Sequence, residues 1–204
     1  MRFFPLSLLL VSLATAAVRA NNDPLMKNLS QSQVASVEQG QMVVASVNIP
    51  GGPWPQLKVY TVVNAPVAVI KSVFLDYANA QDYIPNLVSA KVVDRPSSNV
   101  VDVCYTSHMP LIGNSSSTVR NVYTTKGNSL TVDWHLLSSP VASVSTGQLK
   151  VEPFGSGSIM RYTNYVVPKS SLAFLARGVA LNEVKATVAA IKKQAEKVAS
   201  QGGQ

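Results

Sequence analysis

STVRNVYTTKGNSLTVDWHLL, residues 117–137, is interrupted at Gly127-Asn128, and beyond the interruption apolar and polar residues alternate. Alternation at period two marks a strand with one buried face, and a two-residue Gly-Asn connection marks a β-hairpin. Such a short loop fixes the register. Tyr123 stands opposite Val132, and Asn121 opposite Trp134. Leu130, Val132, Trp134 and Leu136 share one face while Thr131, Asp133 and His135 take the other, so the first set is expected to point inward.

The same rhythm extends outward, punctuated by Arg95-Pro96-Ser97-Ser98, Pro110 to Ser117, Ser138-Ser139-Pro140 and Phe154-Gly155-Ser156-Gly157. Strands are predicted over 88–94, 99–107, 117–126, 129–137, 145–153 and 158–167, with two earlier ones over 41–47 and 57–63 around the break Pro50 to Pro55. By alternation Val101, Val103, Tyr105 and Ser107 face inward, as do Leu149 and Val151, and Met160, Tyr162, Asn164 and Val166. Asn64-Ala65-Pro66 opens a helix that runs to about Tyr77, with Asn as cap and Pro in the first turn. A second short helix covers Asn79 to Asn86. Near the end, Leu181, Val184, Val188, Ile191, Ala195 and Val198 form one apolar stripe, out of phase with Leu172, Leu175 and Val179. A short helical segment, a bend near Gly178 and a long helix over 179–199 follow. The expected class is α+β: a curved antiparallel sheet wrapped around a long C-terminal helix, the helix-grip arrangement.

Composition suits one domain, with 204 residues of which 47% are hydrophobic and 13% charged. Residues 1–20 read as a cleaved signal peptide, with Arg2 at the start, an apolar run, and Val18-Arg19-Ala20 at the cut. Residues 21–33 read as a flexible lead-in, 34–199 as the domain, and 200–204 as a flexible tail. Losing Arg2 and Arg19 lowers the formal charge from +7 to +5. The remaining cations are scattered, which argues against nucleic acid as a partner. Cys104 is alone, so no intrachain disulfide forms and no cysteine zinc site is nominated.

The stretches Leu57 to Pro66, Asp76-Tyr77 with Tyr83-Ile84-Pro85-Asn86, Ser145 to Pro153, and Arg161-Tyr162 through Pro168 carry a family likeness. They resemble the START-like superfamily of polyketide cyclase/dehydrase, lipid-transport and coenzyme Q-binding domains, over roughly Gln41 to Lys197. The resemblance implies an apolar ligand held between sheet and helix. One departure stands out: after Pro110, where relatives often carry charge, this chain has Gly113-Asn114-Ser115-Ser116-Ser117. A role for such charges does not transfer.

The residues themselves nominate no catalytic group, no cofactor and no metal. His108 and His135 fall on the face away from the interior, and Asp133 beside His135 has no nucleophile elbow to complete a triad. Gly155-Ser156-Gly157 is a hairpin and lacks the strand-to-helix setting of a nucleotide loop. Inward polar and aromatic groups are more informative, because buried amides and hydroxyls need partners. The candidate ligand-binding set is Tyr105, Ser107, Asn121, Tyr123, Val132, Trp134, Leu149, Tyr162, Asn164, Leu181, Val184 and Val188. The sequence thus reads as a monomeric, periplasmic or secreted binding protein for a lipid, isoprenoid or aromatic compound, with transient membrane contact allowed. A cyclase-like enzyme using the same space, with Tyr or Asn stabilising an enolate, is the alternative. A third is a domain filled by its own side chains.

Overall fold

A computed structural model describes residues 24–110, 113–169 and 177–202. The expected signal peptide and the short helical segment ahead of Gly178 lie outside the described residues. Eight strands form one antiparallel sheet: β1 (Val43–Val47), β2 (Gln56–Val63), β3 (Leu87–Ser97), β4 (Val100–Met109), β5 (Gly113–Lys126), β6 (Ser129–Ser138), β7 (Ala142–Phe154) and β8 (Gly157–Pro168). Their order across the sheet is β1-β2-β8-β7-β6-β5-β4-β3. Helices α1 (Gln31–Glu38), α2 (Val67–Leu75) and α3 (Arg177–Gln201) complete the chain with a 3-10 turn at Tyr77–Asp82. This is the helix-grip arrangement, and α3 is the helix that the sheet grips.

The Gly127-Asn128 loop sets the register as expected, with Tyr123 opposite Val132 and Asn121 opposite Trp134. Gly127 adopts φ 55°, the left-handed conformation that glycine supplies without a steric cost. The second predicted helix is instead the 3-10 turn, which ends five residues before β3 begins at Leu87. Asn86, with φ 62°, turns the chain into that strand, and its carbonyl accepts a hydrogen bond of 2.8 Å from the His108 amide.

The two ends of the gripped helix meet the sheet differently. Toward its C-terminus Val188, Ile191 and Ala195, each at most 2% exposed, join Val59, Val63, Leu130, Val132, Leu149, Val151 and Met160 in one solid core. Polar clamps hold that end in place. Lys192 Nζ donates to the Val62 carbonyl at 2.7 Å and pairs with Glu196 at 2.5 Å, and Glu196 accepts from the Asn64 amide at 2.9 Å. Buried Ser158 adds a hydroxyl bond of 2.7 Å to the Ala65 carbonyl.

The opposite face of the sheet holds a layer that the sequence reading placed in a loose lead-in. Leu25 and Met26 are buried, and α1 adds Val34 and Val37; all four pack on Tyr60 and Ile159, which point away from α3. A capping box starts α1, with Ser30 Oγ accepting from the Gln33 amide and the Gln33 side chain accepting from the Ser30 amide. Residues 25–33 are therefore packed against the domain, because Tyr60 and Ile159 would otherwise expose apolar surface on the back of the sheet. At the other terminus, Ser200 and Gln201, expected in the tail, complete the last turn of α3.

Candidate functional site

Toward the N-terminal end of α3 the concave face is not filled. Leu57, Tyr105, Ser107, Leu136, Tyr162, Asn164, Val166 and Leu181 all keep solvent-accessible surface there, although strand parity puts the sheet residues among them on the same face as the solid core. Two of them define the nature of that surface. Desolvation pushes the Tyr162 hydroxyl up to about 12 and the Tyr105 hydroxyl well above its ordinary value, so both rings are walled in by protein. Surface that is accessible yet walled in faces an internal space. The hollow thus lies at the end where β4 turns into β5 and β6 into β7, and the chain's atoms fill the opposite end.

The polar groups around this space are all uncharged. Tyr162 and Asn164 lie two apart on β8 and share a face; among the described residues neither the Tyr162 hydroxyl nor the Asn164 amide has a hydrogen-bond partner. Trp134 packs on Tyr162 with ring centroids 5.0 Å apart and a tilt of 38°. It can lie there because Gly147, opposite Trp134 in the ladder, has no side chain. A β-carbon at that position would sit 2.2 Å from Trp134 Cζ2 and 2.2 Å from the Thr163 carbonyl oxygen. On the other side Tyr105 is hydrogen-bonded to Asn121 and meets Tyr77 edge-on, with centroids 6.4 Å apart. Tyr77 is pushed up to about 12 by burial, and its hydroxyl is buried without a partner. Tyr83, also pushed to about 12, donates to the Val73 carbonyl at 2.9 Å.

The predicted ligand-binding residues divide by depth. Tyr105, Ser107, Tyr162, Asn164 and Leu181 border the internal space, and Asn121, Trp134 and Val184 back it with 3 to 8% exposure. Val132, Leu149 and Val188 are fully buried in the solid core and present no free surface. Tyr123 is drawn to the margin, where its hydroxyl donates to the Ser98 carbonyl and Lys71 Nζ sits 5.6 Å from its ring centroid. Tyr77 and Tyr83 were not among the candidates. Their signal was present in two tyrosines on a predicted apolar helical stretch, where a hydroxyl has to find a partner.

The outer face holds most of the charge. Arg120 grips Asp102 through two bonds of 2.7 Å, which lowers the Asp102 carboxyl below its usual range, with His135 next in register. Both histidines are exposed as expected, but Asp133 accepts from Gln148 at 2.8 Å and forms no dyad with His135. Gln148 in turn accepts from Arg161 at 2.7 Å, and these groups line an open polar groove of about 300 Å3 with Lys58 and Thr163. A second depression of about 180 Å3 lies where α2 and the 3-10 turn meet α3, around Asp76, Tyr83 and Gln194. No cluster of three metal-ligating side chains exists among the described residues.

No protein-family model matches the sequence, and no curated protein matches it. Solved structures do. A STAR-related lipid transfer protein fragment from Xanthomonas axonopodis superposes with a TM-score of 0.68 at 16% identity, over 76% of this chain and 93% of that one. Human StAR-related lipid transfer protein 5 gives 0.67 at 7% identity, over 91% and 97% of the two chains. The Zhui aromatase/cyclase from Streptomyces gives 0.60 at 12% identity, over 73% and 95%. At these identities the likeness establishes the fold, which is that of the START-like superfamily.

Proposed function

We propose that this chain is an exported carrier that sequesters a hydrophobic small molecule between the open end of the sheet and the first turns of α3. The observation that supports this most directly is the pair Tyr105 and Tyr162, enclosed by protein and still presenting accessible surface. Apolar burial supplies the affinity, at about 0.8 kcal/mol per methylene group, so a tail of about ten methylenes gains about 8 kcal/mol before the costs of association. Lipid transfer proteins and an aromatase/cyclase sharing the fold agree with an apolar cargo. The apolar leader over residues 1–20 supports export, with the mature chain starting at Asn21 and collecting cargo by transient membrane contact.

Organic extraction of the purified chain followed by mass spectrometry tests the reading. A lipid, isoprenoid or aromatic compound recovered in stoichiometric amount is expected, and repeated recovery of nothing above a blank refutes it, provided that added cargo also fails to bind. An enzyme of the cyclase kind is the second reading, favoured by the set of tyrosine and asparagine donors able to hydrogen-bond an oxyanion. It requires turnover of a supplied polyketide-like precursor that the Asn121→Ala variant abolishes.

A further inference from the structure

We infer, on the basis of the carrier reading above, that the cargo is uncharged and carries a carbonyl or hydroxyl group that docks on the Tyr162 hydroxyl and the Asn164 amide. The inward positions of the strands are occupied by Leu57, Val59, Thr61 and Val63 on β2, by Val101 to Ser107 on β4, and by Ser115 to Tyr123 on β5, taking alternate residues. On β6, β7 and β8 they are Leu130 to Leu136, Ser145 to Val151 and Ser158 to Val166 on the same count. None of these is charged. The cations nearest in sequence are turned the other way, with Arg120 on Asp102, Lys150 on Glu152 and Arg161 on Gln148 at the back of the sheet. Lys192 is held by Glu196 and the Val62 carbonyl at the filled end. The carboxylate closest to the opening on α3, Glu183, is held against Asn86 and would repel an anion.

An ionised head group entering this space would therefore lose its water and meet no countercharge, which is far more costly than burying a neutral group. An ester, ketone or alcohol meets what it needs. A phenolic hydroxyl donates or accepts, and an amide does both, so the two free groups on β8 match one carbonyl or hydroxyl oxygen. Trp134 against the Tyr162 ring, made possible by Gly147, fixes the direction in which that hydroxyl points.

Binding of dodecane, methyl dodecanoate and dodecanoate to the purified chain at pH 8, followed by calorimetry or by Trp134 fluorescence, tests the inference with one tail length and three head groups. The ester should bind about tenfold more tightly than the alkane, the yield of one or two satisfied hydrogen bonds, and at least about tenfold more tightly than the ionised acid. Tyr162→Phe and Asn164→Leu should each reduce the ester's advantage over the alkane several-fold. Tyr162→Phe serves as the control for folding, since it removes a hydroxyl that bonds nothing in the protein. Equal binding of dodecanoate and its methyl ester overturns the inference and leaves the carrier reading standing. An ester preference unchanged in both variants refutes the assignment to Tyr162 and Asn164. Failure of all three compounds to bind removes the carrier reading, and this inference with it.

Discussion

Replacing Gly147 by alanine should damage the site and the fold together. The new methyl would lie 2.2 Å from the Thr163 carbonyl oxygen and 2.2 and 2.5 Å from Trp134 Cζ2 and Cε2, far inside van der Waals contact. Thr163 belongs to β8, the strand paired with β7, so one obstacle is backbone in the middle of the sheet and the other is a large ring against Tyr162. Forcing a methyl group into such a place costs about 1–3 kcal/mol, and displacing Trp134 from Tyr162 forfeits about 0.5–1.5 kcal/mol more. Together these amount to about 2–4 kcal/mol, which at about 2–4 °C per kcal/mol for a domain of this size lowers Tm by about 5–15 °C. Scanning calorimetry reads the loss, and Trp fluorescence, from Trp134 and Trp54, reports the ring's new surroundings. Adding Trp134→Leu should restore only part of the Tm, because the Thr163 carbonyl remains in the way. An alanine variant with wild-type Tm and an unchanged emission maximum would refute the reasoning, since the ring and the backbone could then not stand where they are described.

Met26→Ala should cost about 2–5 kcal/mol in a urea titration, the range for emptying a buried methionine site, because Met26 is 2% exposed against Tyr60 and Ile159; a variant within 0.5 kcal/mol of wild type would show, to about the accuracy of such titrations, that the N-terminal layer is dispensable. The Asp102 carboxyl is held below its ordinary value by Arg120, so its contribution is complete above the unfolded aspartate range and disappears as pH falls through the lower folded value. Arg120→Gln should therefore lose stability at pH 7 and much less at pH 2–3, and an equal loss at both would contradict the ion pair. Tyr77, Tyr83 and Tyr162 are each pushed up to about 12, so they remain protonated when the unfolded chain ionises at about 10; stability should fall as pH rises between those values. Tyrosinate absorbance that reaches its full amplitude by pH 11 with the fold intact would contradict their burial.

Strand parity and turn chemistry were enough to place β2 to β8 and the face each residue takes, because the Gly127-Asn128 loop leaves no freedom of register. Depth was not legible in the same way. Val132 and Trp134 have the same parity on one strand, yet Val132 is sealed in the core while Trp134 backs the hollow; what separates them is the point along the strand where the helix stops filling the space. Alternation specifies a side and carries no information about that distance. The layer behind the sheet was missed for another reason. Helix α1 presents only Val34 and Val37 to the protein, too few to give a periodic signal over eight residues. Two clues were nonetheless in the sequence: the capping pattern Ser30-x-x-Gln33, and Val59-Tyr60-Thr61-Val62-Val63, where both faces of a strand are apolar and both need cover.

Separating a filled half from a hollow half along one helix gives the molecule a division of labour. Its thermodynamic reserve is concentrated around Val188, Ile191, Ala195 and the strand segments beneath them, out of reach of any guest. Residues such as Ser107, Tyr162, Asn164 and Leu181 can then be exchanged to suit a different guest while the anchoring half keeps the chain folded. A scaffold arranged in this way can diversify what it holds through changes confined to one end.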